Sequence, residues 1–334
     1  MNLNSRIKAF GKLGEYLASD FFLNHELDIL HACAKNSWFS VEHIRYSINF
    51  WSIRLNTSSL DTWLASYSIL DSIKTKKILL VLAGNIPLVG FHDFLSSIIL
   101  GHKVFIKMSS KDNVLFPLIV SKLFEINIGF KKQIYFSDTI HVGDLDAVIA
   151  TGSDHSARYF EYYFKDIKKI IRKNRTSIAI LDGKETNLEL EGLASDIFLY
   201  YGLGCRNVSK LLLPKDYDLD NLFNVFSLYS NVLGNNKYKN NYEYNRALLL
   251  MGNRKFFDNG FYLMKEEDSL FSPLSMIYYQ FYTKNSSIES YINNNFSRIQ
   301  CIVSNNHIPF GFAQKPSLSD YADNLDIIDF LISI

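Results

Sequence analysis

The chain has 334 residues, 48% of them hydrophobic, so it can bury a large core, and more than one globular unit is expected. Its 35 Lys and Arg against 34 Asp and Glu leave a net charge of +1, which gives no electrostatic footprint for nucleic acid and no acidic tail. Three widely spaced cysteines, Cys33, Cys205 and Cys301, with no CxxC pair, argue against a zinc site or a disulfide framework and for reduced thiols in a cytoplasm. The eight histidines show no ligand spacing, so no metal is expected. No apolar run reaches about 18 residues and the N-terminus lacks a signal-peptide core, so a soluble, cytoplasmic protein with no integral membrane segment is expected. The aromatic content of 15% reads as core packing on a biased composition, and NNKYKNNYEYN (235–245) as a solvated loop or helix rim.

In chain order, residues 1–75 read as helical, with apolar residues at helical spacing through Phe10, Leu13, Leu17 and Phe21, then Ile44, Ile48, Trp51 and Leu55. The continuous run Ile78 to Leu82 then predicts a buried parallel strand. It ends in Ala83-Gly84-Asn85-Ile86-Pro87, and a helix is predicted from Pro87, stopped by Gly101. A strand over 104–106, a helix over 113–125, and strands over 133–136 and 147–150 follow. After Thr151-Gly152-Ser153 comes a helical string, then a strand over 177–181, a helix over 185–201, the turn GLGC, and a strand over 209–213. This alternation predicts an α/β protein with doubly wound, largely parallel sheets. The expected division is 1–180 for N-terminal helices plus a cofactor-binding domain, 181–308 for a domain carrying Cys205, and 309–334 for a closing segment.

Cys205 stands in GLGCRN, a turn made permissive by two glycines, with Arg206 adjacent. A cationic neighbour favours the nucleophilic thiolate, yet on local sequence alone a buried structural cysteine is the commoner reading. Cys33 and Cys301 lack such surroundings and are assigned to packing. Asn85 follows a strand and precedes a helix, the usual place for a ligand in a doubly wound sheet; its amide could donate to an oxyanion or merely serve a turn. Lys107, Ser109 and Ser110 end the next strand, where a lysine can meet a ribose or phosphate. Thr151, Gly152 and Ser153 stand at a helix start, which favours an anion. His92, His102 and His155 lie near these residues in sequence and are assigned to helix surfaces or caps. No GxGxxG, GxxxxGK[ST] or GxSxG is present.

In this order and spacing, the chain resembles the aldehyde dehydrogenase superfamily. Within it, the chain is similar to the LuxC-type fatty acyl-CoA reductases of bacterial luminescence, in a short form. The resemblance covers residues 30–334 and is carried by AGNIPLVGFHDFLSSIILGHKVFIKMSS, YYGLGCRNVSKLLLP and IPFGFAQKPSLSDYADNLDIIDFL. It implies an aldehyde-dehydrogenase-like fold. It places Cys205 on the nucleophile and Asn85, in GNIP, on the oxyanion-stabilising asparagine. It places Lys107 on the lysine at the adenosine ribose, and Gly152 and Ser153 beside the cofactor pyrophosphate. Pro309-Phe310-Gly311 resembles the PFGG segment. Three departures accompany it. Ile180, in ILDGK, is aligned with the glutamate of ELGGK, the base that hydrolyses the acyl-enzyme, with Asp182 as its alternative on the same strand face. Ser110 replaces a glutamate that holds the ribose hydroxyls, which favours NADPH, with NADH as the other nicotinamide option. Ser269, in SLFSP, replaces a glutamate at the nicotinamide ribose.

The resemblance implies NADPH-dependent reduction of an acyl thioester, a long-chain acyl-CoA or an acyl-carrier thioester, to the aldehyde through an acyl-cysteine. Two rivals stay open: an acyltransferase or thioesterase using the same cysteine, and a non-catalytic subunit beside an acyl-transferring or acyl-activating partner. A homo-oligomer is within the family's habit.

Overall fold

The computed structural model describes residues 1–67, 73–137 and 142–334, and the chain divides into two compact units. The first comprises residues 1–174 and 317–334. It opens with helices α1 (Leu3–Ser19), α2 (Phe21–Asn24), α3 (Glu26–Lys35), α4 (Val41–Arg54) and α5 (Thr57–Leu64). Asn2, Ser40 and Asn56 cap α1, α4 and α5 with side-chain oxygens. The helical-period residues Phe10, Leu13, Leu17, Ile44, Ile48 and Leu55 are buried in one core with Ile78 and Leu80 of the sheet. Residues 68–72, the tail of the stretch expected to be helical, lie outside the described residues.

The sheet of this unit contains β1 (Lys77–Val81), β2 (Lys103–Lys107), β3 (Ile134–Phe136), β4 (Ala147–Thr151) and β5 (Lys168–Arg172), with α6 (Phe91–Ile99), α7 (Leu115–Ile126) and α8 (Asp154–Tyr163) between them. The strands are parallel in the order β3-β2-β1-β4-β5. The chain runs outward from β1 to β3 and returns to β4, so the topological switch lies between β1 and β4. Both faces of β1 are covered: Ile78 and Leu80 meet the main core, Leu79 and Val81 a cluster with Val148, Ala150 and Phe164. That double burial is why the strand reads as an unbroken apolar run.

Two differences from the sequence reading have clear causes. The helix expected from Pro87 begins at Phe91, because Leu88 is left-handed at φ +57° and its N–H is taken by Asp112. Strand β5 carries only two apolar residues between cations, a composition suited to a sheet edge and silent in a hydrophobicity pattern.

The second unit, residues 175–316, holds β6 (Thr176–Ile180), α9 (Asn187–Phe198), β7 (Val208–Pro214), α10 (Leu219–Phe226), α11 (Asn236–Met251), β8 (Phe257–Asp258), β9 (Leu263–Glu266), β10 (Met276–Tyr282), α12 (Asn285–Asn295) and β11 (Ile299–Val303). The sheet order is β11-β6-β7-β10-β9-β8, parallel except for the β8–β9 pair. Because β6 belongs to this sheet, the division expected after residue 180 falls after 174. The stretch 309–334 is split, with 309–316 in the second unit and the closing helix Ile327–Ile332 in the first. The segment 235–245 forms most of α11 and buries Tyr238 and Tyr242, so it is only partly a solvated rim.

Candidate active site

In the first unit, the residues singled out by sequence gather on one edge of the sheet. Lys107 is the last residue of β2 and pairs with Val81, the last of β1; Thr151 ends β4. Asn85 follows β1 and Gly152 and Ser153 follow β4, so they flank the topological switch at the carboxyl edge, where such sheets bind ligands. Ser153 caps α8, its Oγ accepting from Ser156 N–H at 3.3 Å. Gly152 is required by packing: a Cβ there would stand 2.9 Å from the Cβ of Ser156.

The Asn85 turn is held from three directions. The Asn36 side chain donates to the Gly84 carbonyl at 3.0 Å, Ser47 to the Pro87 carbonyl at 3.0 Å, and Asp112 accepts from Leu88 N–H at 3.2 Å. Gly84 lies so close to the 107–112 turn that a Cβ would come 2.7 Å from Ser109 Oγ. Ser109 itself shapes that turn, its carbonyl accepting from Asp112 N–H and its Oγ from Lys111 N–H. Ser110 is exposed. Burial pushes the Asp112 carboxyl up to about 6, against the Leu88 hydrogen bond that lowers it, and its Oδ1 is buried with no hydrogen-bond partner. Sequence reading missed Asn36, Ser47 and Asp112, because none belongs to a motif and each acts across the fold. Of the three histidines, His92 bonds the Leu318 carbonyl, His102 is buried against Lys76 N–H, and His155 is exposed.

In the second unit, Cys205 is exposed, whereas Cys301 is buried and Cys33 half-buried. It sits in the turn between α9 and β7. Before it, Tyr200, Tyr201 and Gly202 take left-handed backbone in succession, φ 55°, 57° and 77°. Such backbone costs an L-residue roughly 1–2 kcal/mol, so the turn needs anchors. Asn207 is the main one. It is buried; its Oδ1 accepts from Gly204 N–H at 2.8 Å, and its Nδ2 donates to the carbonyls of Asp196, Ile197 and Leu199 at 3.0, 3.2 and 2.8 Å. Those carbonyls are the unsatisfied C-terminal end of α9. Ser177 Oγ donates to the Cys205 carbonyl at 3.0 Å.

This geometry corrects the reading of Ile180. Ser177 pairs with Val208 and Ile180 with Leu212, so Cys205 stands at the amino end of these parallel strands and Ile180 toward the other end, about 13 Å up the sheet. Ile180 packs with Ile178, Leu212 and Leu270, and Asp182 closes a turn by accepting from Lys184 N–H. Neither bears on the thiol. The residues at Cys205's end of β6 are those that enter the strand, and 175–181 contain no Asp or Glu. Ser269 is exposed, two residues after Glu267, whose carbonyl accepts from the buried Lys210 ammonium.

A family model described as acyl-CoA reductase (LuxC) matches residues 55–222, half of the chain. The chain belongs to the LuxC acyl-CoA reductase family. Solved structures agree on the fold at low identity. Aldehyde dehydrogenase 21 from Physcomitrella patens, with the product succinate, superposes with a TM-score of 0.67 at 12% identity over 100% of this chain and 84% of that one. A cysteine-to-alanine variant of aldehyde dehydrogenase C from Pseudomonas syringae, with NAD+ and octanal, gives 0.65 at 10% identity over 88% and 70%. Proline utilization A gives 0.66 at 12% identity over 91% of this chain, which spans 36% of the length of that protein. No curated protein matches the sequence. This LuxC-family chain therefore has the aldehyde dehydrogenase fold. Among its described residues no helix is long and apolar enough to cross a membrane, and no group of three or more His, Cys, Asp or Glu could hold a metal.

Proposed function

We propose that this LuxC-family protein reduces an acyl thioester to an aldehyde through an acyl group carried on Cys205, with a nicotinamide cofactor held by the first unit. The observation that carries the reading is the state of Cys205: an exposed thiol on a strained turn that four side-chain bonds of Asn207 hold in place. A purely structural cysteine needs neither exposure nor such a turn.

The carboxyl edge of the first sheet fits a dinucleotide. Gly152 and Ser153 stand at the start of α8, whose first backbone N–H groups suit a pyrophosphate, and Lys107 stands one strand away from the switch. The 103–111 stretch carries no carboxylate, and Asp112 is turned inward to Leu88 N–H, so nothing there repels a 2′-phosphate. This favours NADPH over NADH, with Ser109 and Ser110 nearest the adenosine ribose by family resemblance. When bound, the reduced nicotinamide supplies the hydride that the acyl carbon accepts.

The chain's own residues do the rest. The Cys205 thiolate attacks the thioester carbonyl; the carbon–sulfur bond to the carrier breaks and the carrier thiolate leaves and takes up a proton. Asn85, by its place in the family motif, and the Cys205 N–H donate to the oxyanion, and loss of one such donor costs about 10²–10³ in rate. After reduction the thiohemiacetal oxygen takes its electrons back into a carbonyl, the bond to Cys205 breaks, and aldehyde leaves with the thiol regenerated. With no carboxylate in 175–181, β6 offers no base to activate water, which favours an acyl-cysteine that persists until it is reduced. The family supports a long-chain acyl-CoA, or the same acyl group on a carrier protein, as donor.

The test is aldehyde formation from a panel of acyl-CoAs with NADPH or NADH, on wild type and on Ser110→Glu. NADPH-dependent aldehyde, with a shift toward NADH in Ser110→Glu, is expected. Release of free CoA without aldehyde from either cofactor would assign the cysteine to acyl transfer or hydrolysis instead.

A further inference from the structure

Asp196 has no role in the chemistry above, yet it closes a ring of bonds around the Cys205 turn. It is fully buried near the end of α9. Its Oδ2 accepts from Gly311 N–H at 2.7 Å and its Oδ1 from Ala313 N–H at 3.0 Å. Arg206, the residue after Cys205, reaches the same loop: its Nε donates to the Ala313 carbonyl at 2.6 Å. Asn207, the next residue, donates from Nδ2 to the Asp196 carbonyl at 3.0 Å. The ring thus runs from the Asp196 carboxylate through Ala313, Arg206 and Asn207 back to the Asp196 backbone, passing one residue from the thiol.

The seat for this loop is built into α9. Gly192 lies one turn before Asp196 on the same helix face, and a Cβ there would stand 2.8 Å from the Phe310 carbonyl group. Gly311 is left-handed at φ +83°, and its own Cβ would meet the Gly192 Cα at 3.0 Å. Burying a carboxylate is costly unless its hydrogen bonds are made. Two N–H donors call for two acceptors; an asparagine offers one and sets its amide hydrogens against the second donor.

We infer that Asp196 is a positioning residue that sets the reactive pose of Cys205 by clamping the 310–313 loop against Arg206 and the end of α9. This rests on Cys205 being the acyl acceptor. Burial pushes the Asp196 carboxyl up to about 7, while the two N–H bonds, Lys315 and Arg206 pull the other way. Protonation removes one of its two acceptors and loosens the clamp.

The experiment compares wild type, Asp196→Asn, Asp196→Glu, Arg206→Met and the Asp196→Asn/Arg206→Met pair. It reads three quantities: amide exchange of the 309–316 peptide, the rate of Cys205 alkylation by iodoacetamide, and the rate of Cys205 acylation by a long-chain acyl-CoA. Expected in Asp196→Asn are lost protection at 311–313, a changed alkylation rate and acylation slower by about 10²-fold. Asp196→Glu, which restores the charge, recovers part of the rate. The pair is no slower than its slower member, because both act through Ala313. The step in acylation near pH 7 that belongs to the Asp196 carboxyl is absent from Asp196→Asn. Acylation and alkylation at wild-type rates in Asp196→Asn despite lost protection would overturn the clamp, as would a pair equal to the product of its singles. If Asp196→Asn fails to fold, Arg206→Met carries the prediction of a changed alkylation rate and slower acylation, with the carboxylate bonds, and so the protection at 311 and 313, left in place. A wild type that is alkylated at Cys205 but never acylated refutes the proposed function instead, and the alkylation rates then decide the clamp.

Discussion

Removing the Asn207 side chain should both destabilise the second unit and silence the cysteine. In Asn207→Ala the carbonyls of Asp196 and Ile197 lose a fully buried donor, and the part-buried Leu199 carbonyl and Gly204 N–H lose theirs. A buried group left unsatisfied costs about 1–3 kcal/mol, while the part-buried pair can recover water. The sum is on the order of 3–5 kcal/mol, a large share of the ~5–15 kcal/mol that holds a domain folded. The left-handed Tyr200 and Tyr201 then have an incentive to relax, which moves Cys205. Asn207→Asp is the sharper variant. It keeps an acceptor for Gly204 N–H but turns a second carboxylate oxygen toward three carbonyls, so it should be at least as damaging as alanine. The assay is urea unfolding followed by tyrosine fluorescence, with Cys205 acylation read in parallel. A loss under about 1 kcal/mol with unchanged acylation, or an aspartate milder than the alanine, would refute the reasoning.

Two further outcomes follow from the first unit. Asp112 titrates at about 6 in the fold, above its ordinary 3.8, so the folded state holds that proton more tightly than the unfolded chain. Its effect is a penalty absent below about pH 4, growing to about pH 6 and constant above, on the order of 3 kcal/mol. Asp112→Asn, which still accepts from Leu88 N–H, should therefore raise the urea midpoint at neutral pH and leave it unchanged near pH 4; an equal difference at both would contradict the assignment. Gly84→Ala would force a methyl to 2.7 Å from Ser109 Oγ and 3.1 Å from Asp112 N, displacing the 107–112 turn. NADPH affinity, read by fluorescence titration, should fall by about tenfold or more; an unchanged affinity would remove that turn from the cofactor site.

The first unit was legible because its signals are local. Continuous runs such as Ile78 to Leu82 and Ala147 to Ala150 mark strands buried on both faces, and the residues after them fall by topology on the ligand edge. The second sheet was less legible past Pro214. Its strand β10 reads MIYYQFY, where tyrosines pack on apolar bodies that a hydropathy pattern scores as mixed. Cys205 was singled out by family motif, and its surroundings were not. Asn207, Asp196 and Ala313 meet through bonds between residues up to 117 positions apart, which no local pattern encodes. The Ile180 reading failed for the same reason. A short motif match gives composition and no strand register, and the pairing of Ile180 with Leu212 puts it at the wrong end of the sheet.

Cys205 Sγ is the atom proposed to carry the acyl group. Intact-mass spectrometry after incubation with a long-chain acyl-CoA, without cofactor, tests it most directly. One acyl adduct is expected on wild type, removed by added NADPH, and none on Cys205→Ala; an adduct that persists in Cys205→Ala would contradict acylation at Cys205.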